Sequence, residues 1–192
     1  ANSAIGNDAL RSNTTGYENA AWGVEALLNN NTGYRNMAIG QIAMQANTIG
    51  HRNIAVGGGA LSENVSGNFN ACIGDATMIL NTTGSFNTAV GPLALHTNTS
   101  GDYNTAIGHY ADVSSGNLTN ATAIGNGTIV NSSNKIRLGN TSVTVVEGNA
   151  SYTVSDGRFK TDLKQNVPGL DFITRLQPVT YHFDYPAFSN FI

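Results

Sequence analysis

Apolar and polar positions recur along most of the chain with a period of 17 residues. The pairs Ile5-Gly6, Trp22-Gly23, Ile39-Gly40, Val56-Gly57, Ile73-Gly74, Val90-Gly91, Ile107-Gly108 and Ile124-Gly125 stand in step. Asn2, Asn19, Asn36, Asn53, Asn70, Asn87 and Asn104 lie three residues ahead of each apolar position, and Gly16, Gly33, Gly50, Gly67, Gly84 and Gly101 lie ten after each first glycine. A unit thus reads Asn-x-Ala-Ile-Gly-x-x-Ala-Leu and then a polar Asn-Thr-Thr-Gly-Tyr turn, as in Asn2 to Leu10 and Asn13 to Tyr17. That is two turns and two short apolar stretches. At about 3.3 Å per extended residue, such a unit is too short for a helix pair but fits one coil of two short strands. The pattern predicts an all-β chain, with a β-solenoid of β-roll type over residues 1–130.

Glycine inside a strand costs roughly 0.5–1 kcal/mol relative to alanine, so two per coil at fixed phase mark bends with positive φ or very close chain packing. Stacked coils place the Ile/Val positions in one dry ridge and Leu10, Leu27, Met44, Leu61, Met78 and Leu95 in another. The asparagine series forms a side-chain ladder, and Trp22, Tyr17, Tyr34, Phe69, Phe86 and Tyr103 add aromatics near the turns. Two narrow ridges make a thin core for one chain, so burial of a second ridge between chains, in a homotrimer, is expected.

The period breaks after Gly108, where Asp112 takes the place of the leucine and Gly116 arrives near the expected position 118. The solenoid is expected to end there. Asn134 to Gly139 and Ser142 to Val146 alternate apolar and polar residues, predicting paired strands in a β neck over 131–154. From Ser151 onward the composition shifts, with eight charged residues in 42 positions against thirteen in the first 150. Leu170, Ile173 and Leu176 have helical spacing, whereas Val179, Tyr181 and Phe183 alternate as in a strand, so 155–192 reads as a short α+β segment.

Charge and composition narrow the function. Only 11% of the 192 residues are charged, the net charge is -3, and basic residues are scattered, which leaves no footprint for nucleic acid. No apolar run approaches the roughly 20 residues that span a bilayer, so no membrane insertion is expected in this segment. The chain starts in mid-pattern without methionine, which reads as a fragment. Cys72 is the only cysteine and stands where other units carry alanine, as a small buried side chain. His51, His96, His109 and His182 have no partners at ligand spacing, so neither a metal nor another cofactor is expected. The triplets at Asn13, Asn81 and Asn98 read as capping turns rather than glycan acceptors, and Thr14-Thr15 and Thr82-Thr83 as solubilising turn residues rather than a flat ice- or glycan-binding array.

The Asn-x-Ala-Ile-Gly units from Asn2 to about Val130 resemble the head domains of trimeric autotransporter adhesins, whose repeats build a β-roll closed as a trimer. The run Ser155-Asp156-Gly157-Arg158-Phe159-Lys160, with Gly169 to Ile173 and Leu176 to Tyr181, is similar to the opening of the intramolecular chaperone domain (peptidase S74) of endosialidase tail spikes and related phage fibres. That resemblance implies a domain that assists trimer folding and then releases itself, with a Ser155 and Lys160 dyad and a cut between Val154 and Ser155. A serine hydroxyl needs a base, and a free lysine with pKa near 10.4 is almost wholly protonated at pH 7, so Lys160 must be desolvated, with Arg158 supporting by like-charge repulsion. Only 38 residues run from Ser155 to Ile192, so the chaperone reads as incomplete. The expected function is therefore a structural and adhesive fibre segment on a bacterial surface or virion tail, meeting a host glycan or protein receptor. Its only expected chemistry is a single-turnover Ser-Lys autocleavage. The alternative is a glycan-degrading tail spike, which would need two acids in one groove, yet Glu18, Glu25, Glu63 and Asp75 do not recur in register.

Overall fold

A computed structural model of the chain describes residues 1–147. They form a parallel β-solenoid with no helix among the described residues. Each coil contributes one three-residue strand: β1 (Ser3–Ile5), β2 (Ala20–Trp22), β3 (Met37–Ile39), β4 (Ile54–Val56), β5 (Ala71–Ile73), β6 (Thr88–Val90) and β7 (Thr105–Ile107). Three later strands, β8 (Asp112–Val113), β9 (Ala121–Ile124) and β10 (Ile129–Val130), precede the last, β11 (Lys135–Leu138). The main sheet runs β1-β2-β3-β4-β5-β6-β7-β9-β11, every neighbour parallel, with Ala4 on Ala21, Ala21 on Ala38 and so on up the stack. Like residues superpose because any other register would break both the glycine and the asparagine columns.

Inside, the core is built from small residues on the strand side and long ones on the corner side. Ala21, Ala38, Ala55, Cys72, Ala89, Ala106 and Ala123 point inward against Leu27, Met44, Leu61, Met78 and Leu95, all essentially fully buried. Of the two expected ridges, only the Leu/Met one lies within the chain; the Ile/Val/Trp positions point outward. The strand backs directly onto the leucine corner, and that narrow gap admits alanine but not isoleucine.

The Ala-Leu stretch, expected as a second strand, is a corner of alternating left-handed residues: Gly23 at φ 145°, Glu25 at 59° and Leu27 at 51°, repeated from coil to coil. Holding an L-residue there costs about 1–2 kcal/mol, which burial of a leucine or methionine side chain, worth about 1.5–3 kcal/mol, outweighs. The same twist aims the Leu27 N–H at Ala43 O of the next coil, 3.0 Å away, so the corner also carries a rung of hydrogen bonds.

Two buried asparagine ladders pin the turns. In the first, Asn19, Asn36, Asn53 and Asn70 each donate Nδ2 to the carbonyl of a turn glycine at 2.8–2.9 Å and accept with Oδ1 the backbone N–H of the next asparagine at 2.9–3.0 Å. In the second, Asn13, Asn30, Asn47, Asn64, Asn81 and Asn98 pass Nδ2 to Oδ1 from coil to coil at 2.7–3.0 Å. The capping role expected for Asn13, Asn81 and Asn98 is thus part of a continuous column; Asn81 and Asn98 are fully buried and closed to a glycan.

The coiling does not stop at Asp112. β9 and β11 add two more rungs, the last in a shorter step that sets Lys135 on Ala121 and Leu138 on Ile124. What changes is the corner, which straightens into β8 and β10, paired Asp112 to Ile129 and Val113 to Val130. An extended corner brings Val113 and Val130 inward in place of the leucine column. Lys135–Leu138, expected in a neck, is the end rung of the main sheet, and Ser142 to Val146 form no strand.

Candidate functional site

Strand alternation puts residues one and three of each rung on the outer face of the sheet. Residue three of β1 to β7 is Ile5, Trp22, Ile39, Val56, Ile73, Val90 and Ile107, and the four-residue β9 and β11 set Ile124 and Leu138 in register with it, an unbroken apolar column along nine rungs. Residue one adds Met37, Ile54 and, on the last rung, Ile136. Ile39 and Val56 are half-buried, whereas the other large apolar residues of this face are exposed, up to 70% at Ile136. Eight rung spacings of about 4.8 Å make the stripe about 38 Å long. Single exposed apolar residues are ordinary on a protein surface, whereas a contiguous file of them marks an interaction surface.

The corner after the turn carries a second file. Tyr17, Tyr34 and His51 stack at 5.0 and 4.6 Å between centroids, and Phe69, Phe86 and Tyr103 stack at 5.0 Å. His51 meets Phe69 edge-on at 5.7 Å, because the aromatic moves there from one turn position to the next. Arg52, one coil before Phe69 in the same column, sets its guanidinium 5.1 Å from the Phe69 centroid. Each stacked pair adds about 0.5–1.5 kcal/mol beyond burial, and the ring faces are spent on one another, so the file stiffens the solenoid and offers a ligand only ring edges.

The acids are held separately. Glu18 pairs with Arg35 at 2.6 Å, whose hydrogen bond holds the Glu18 carboxyl below the usual range. Glu25 accepts from Gln45, and Asp102 accepts the Ser85 N–H at 2.7 Å. The turn threonines Thr14, Thr48, Thr82 and Thr99 give their hydroxyls to carbonyls of the next coil at 3.0–3.2 Å, which removes them from a flat donor array. Cys72 is buried, its thiol pushed up by desolvation. Among the described residues no group of three His, Cys, Asp or Glu side chains could hold a metal ion, and no helix is long and apolar enough to cross a membrane. Ser155, Arg158 and Lys160, the Val154–Ser155 bond and the α+β segment lie outside the described residues.

Asp112 has a role that its place in the leucine column concealed. In regular coils the N–H after the corner donates to a carbonyl of the next coil, as Asn29 does to Gln45 O at 3.1 Å. Where β8 straightens the corner, the Asp112 carboxylate takes over, accepting Thr97 N–H at 3.1 and 3.2 Å and Val113 N–H at 2.8 Å. Desolvation raises its pKa above the ordinary carboxyl value, against the smaller effect of these hydrogen bonds. A raised folded-state pKa means stability that is present in full below the unfolded value and is lost as pH rises through the folded one. Asp112→Asn, which keeps an acceptor but cannot ionise, is expected to flatten that dependence. Urea unfolding of both chains at pH 4 and pH 7 checks it: the wild type should lose more stability between the two than the variant.

No family model matches this chain, and neither a curated protein nor a solved structure matches it. The class therefore rests on the fold: a parallel β-solenoid repeat protein with one apolar outer face.

Proposed function

We propose that this chain is a structural and adhesive segment of a homotrimeric fibre, of the surface-adhesin or phage-tail type, presented outside the cell or on a virion. The apolar stripe carries the reading. It lies on the strands of the coil, between the asparagine and glycine columns, and stays apolar through every rung although it faces away from the chain's own core. Removing apolar area from water is worth about 25 cal/mol per Å², so a stripe of this length has reason to be covered. A chain with one such face per coil closes it most simply in a ring, each chain contacting two others, since a heterologous contact that closes leaves no sticky end. The corners and turns then point outward, as surfaces for a host glycan or protein. The resemblance of the segment from Ser155 to a self-releasing chaperone fits such an assembly, with Ser155 as nucleophile, Lys160 as base and the cut after Val154.

Native mass spectrometry of the full chain tests assembly and chemistry together. A Ser155→Ala chain is expected at three times 20.1 kDa, that is about 60 kDa, and wild-type chains as a trimer ending at Val154. Ile73→Asp with Val90→Asp on the stripe should yield a folded monomer, because both side chains already face solvent within one chain. A wild-type monomer would overturn the fibre reading, and uncut wild-type trimers would reduce the tail to a structural cap.

A further inference from the structure

The outer face is not uniform along its length. Residue one of the rungs reads Ser3, Ala20, Met37, Ile54, Ala71, then Thr88, Thr105, Thr122 and finally Ile136. Thr88, Thr105 and Thr122 sit on consecutive rungs beside Val90, Ile107 and Ile124. Unlike the turn threonines, which bond the next coil, these three hydroxyls have no hydrogen-bond partner among the described residues. We infer that Thr88, Thr105 and Thr122 set the direction of assembly, bonding to the same three threonines of neighbouring copies of this chain, so that all chains run parallel and rung on rung. This rests on the assembly reading above.

The alternatives fail on polar satisfaction. In an antiparallel arrangement with full overlap the nine rungs reverse, and Thr122, Thr105 and Thr88 fall on Ala20, Met37 and Ile54. Three hydroxyls are then buried against side chains that offer no acceptor. A parallel slip by one rung strands Thr88 of one chain on Ala71 and Thr122 of the other on Ile136. Only the parallel, in-step arrangement gives each hydroxyl another hydroxyl, which both donates and accepts. Apart from Ser3 on the first rung, the remaining rungs are apolar and adhere in either direction, so direction falls to the run of three threonines, as a single polar position fixes the register of a coiled coil.

Spin labels read the direction. On a Cys72→Ala background, which installs the alanine that its neighbours carry, the full chain is labelled at Ile136→Cys on the last rung. Pulsed dipolar spectroscopy should give one interchain distance within about 20 Å, twice the ~10 Å spacing of packed sheets. Antiparallel chains would put the labels about 38 Å apart, the stripe's length at about 4.8 Å per rung. Replacing the three threonines together by valine should preserve association but add a second population near the longer distance, whereas the triple serine variant should keep the single short one. If the valine chain does not fold, as circular dichroism would show, triple alanine takes its place. A long distance in the wild type, or an unchanged short one in the valine or alanine variant, overturns this inference alone. A wild type with no interchain distance at all overturns the assembly reading with it.

Discussion

Gly57→Ala is expected to be the most damaging single methyl in the solenoid, while the same change one residue later is expected to be nearly silent. At Gly57 the backbone has φ 138°, and an added Cβ would lie 2.2 Å from Gly74 O and 2.5 Å from Gly74 C in the next coil. That backbone region is essentially reserved for glycine and costs about 1–3 kcal/mol otherwise. Relief of the clash must open the coil spacing, which breaks the rung bonds on both sides, Gly57 N–H to Ile39 O and Gly74 N–H to Val56 O, each 2.8 Å. Together these amount to about 4 kcal/mol or more, enough to lower the melting temperature by about 10 °C for a chain of this size. At Gly58 the added Cβ would meet only the movable Asp75 Oδ1, at 2.9 Å. At Gly59 it has space but a φ of 64°, so Gly59→Ala should cost about 1 kcal/mol. Thermal unfolding of the three variants should rank them with Gly57→Ala far lowest. Equal melting points at Gly57 and Gly58 would mean that the coils do not touch at the glycine column.

The contrast among those glycines shows which parts of the fold the sequence discloses. The two glycine series read as bends with positive φ or close packing, and each series shows one of these most plainly: Gly23 has φ 145°, whereas Gly33 has no positive φ but would set a Cβ 2.5 Å from Gly50 O. Which way a strand faces was harder to see. Alternation places Ala38 and Ile39 on opposite sides, and the larger side chain looks like the core residue. The gap behind the strand decides otherwise, and its width depends on the left-handed corner at Ile42 and Met44, where no glycine announces a positive φ. Leucine at such a position leaves no sequence signal, because its cost is offset by burial rather than avoided by composition.

The same limit hid the site. The isoleucine column was visible as one of two ridges, but not which of the two faces outward, and the Thr-Ala-Val/Ile spacing at Thr88, Thr105 and Thr122 was the unread sign that one end of the face differs from the other. Asp112 looked like the end of the repeat because a carboxylate in a leucine column breaks the pattern. Its function as a substitute for a missing carbonyl requires the path of the next coil, which the sequence does not display.

Asn64→Ala is expected to cost about 3 kcal/mol or more, with Thr82→Ala on the exposed turn costing under about 1 kcal/mol. Asn64 donates to Asn47 Oδ1 at 2.8 Å and to Gly67 O at 3.1 Å, and accepts from Asn81 Nδ2 at 3.0 Å. Its removal leaves Asn47 Oδ1 without a donor at a fully buried position, at about 1–3 kcal/mol. It also takes one hydrogen bond each, about 0.5–1.5 kcal/mol, from Gly67 O and Asn81 Nδ2, which keep Asn53 Nδ2 at 2.8 Å and Gly84 O at 3.0 Å. Thr82 gives one hydroxyl to Thr99 O at the surface, where water replaces it. Asn64→Asp separates the ladder from mere packing, because it keeps the volume but turns two donors into acceptors facing Gly67 O and Asn47 Oδ1. Burial raises the folded-state pKa of that carboxyl above its unfolded value near 3.9. The variant should therefore be least impaired below that value, where the protonated acid donates once, and should weaken as pH rises through the folded pKa. Denaturant unfolding of the three variants at pH 3.5 and pH 7 measures both effects. If Asn64→Ala falls within 1 kcal/mol of the wild type, the coils are held by strand and corner bonds alone. A large loss means that the ladder fixes the rung spacing that keeps the outer stripe straight, so weakening it should also reduce trimer formation.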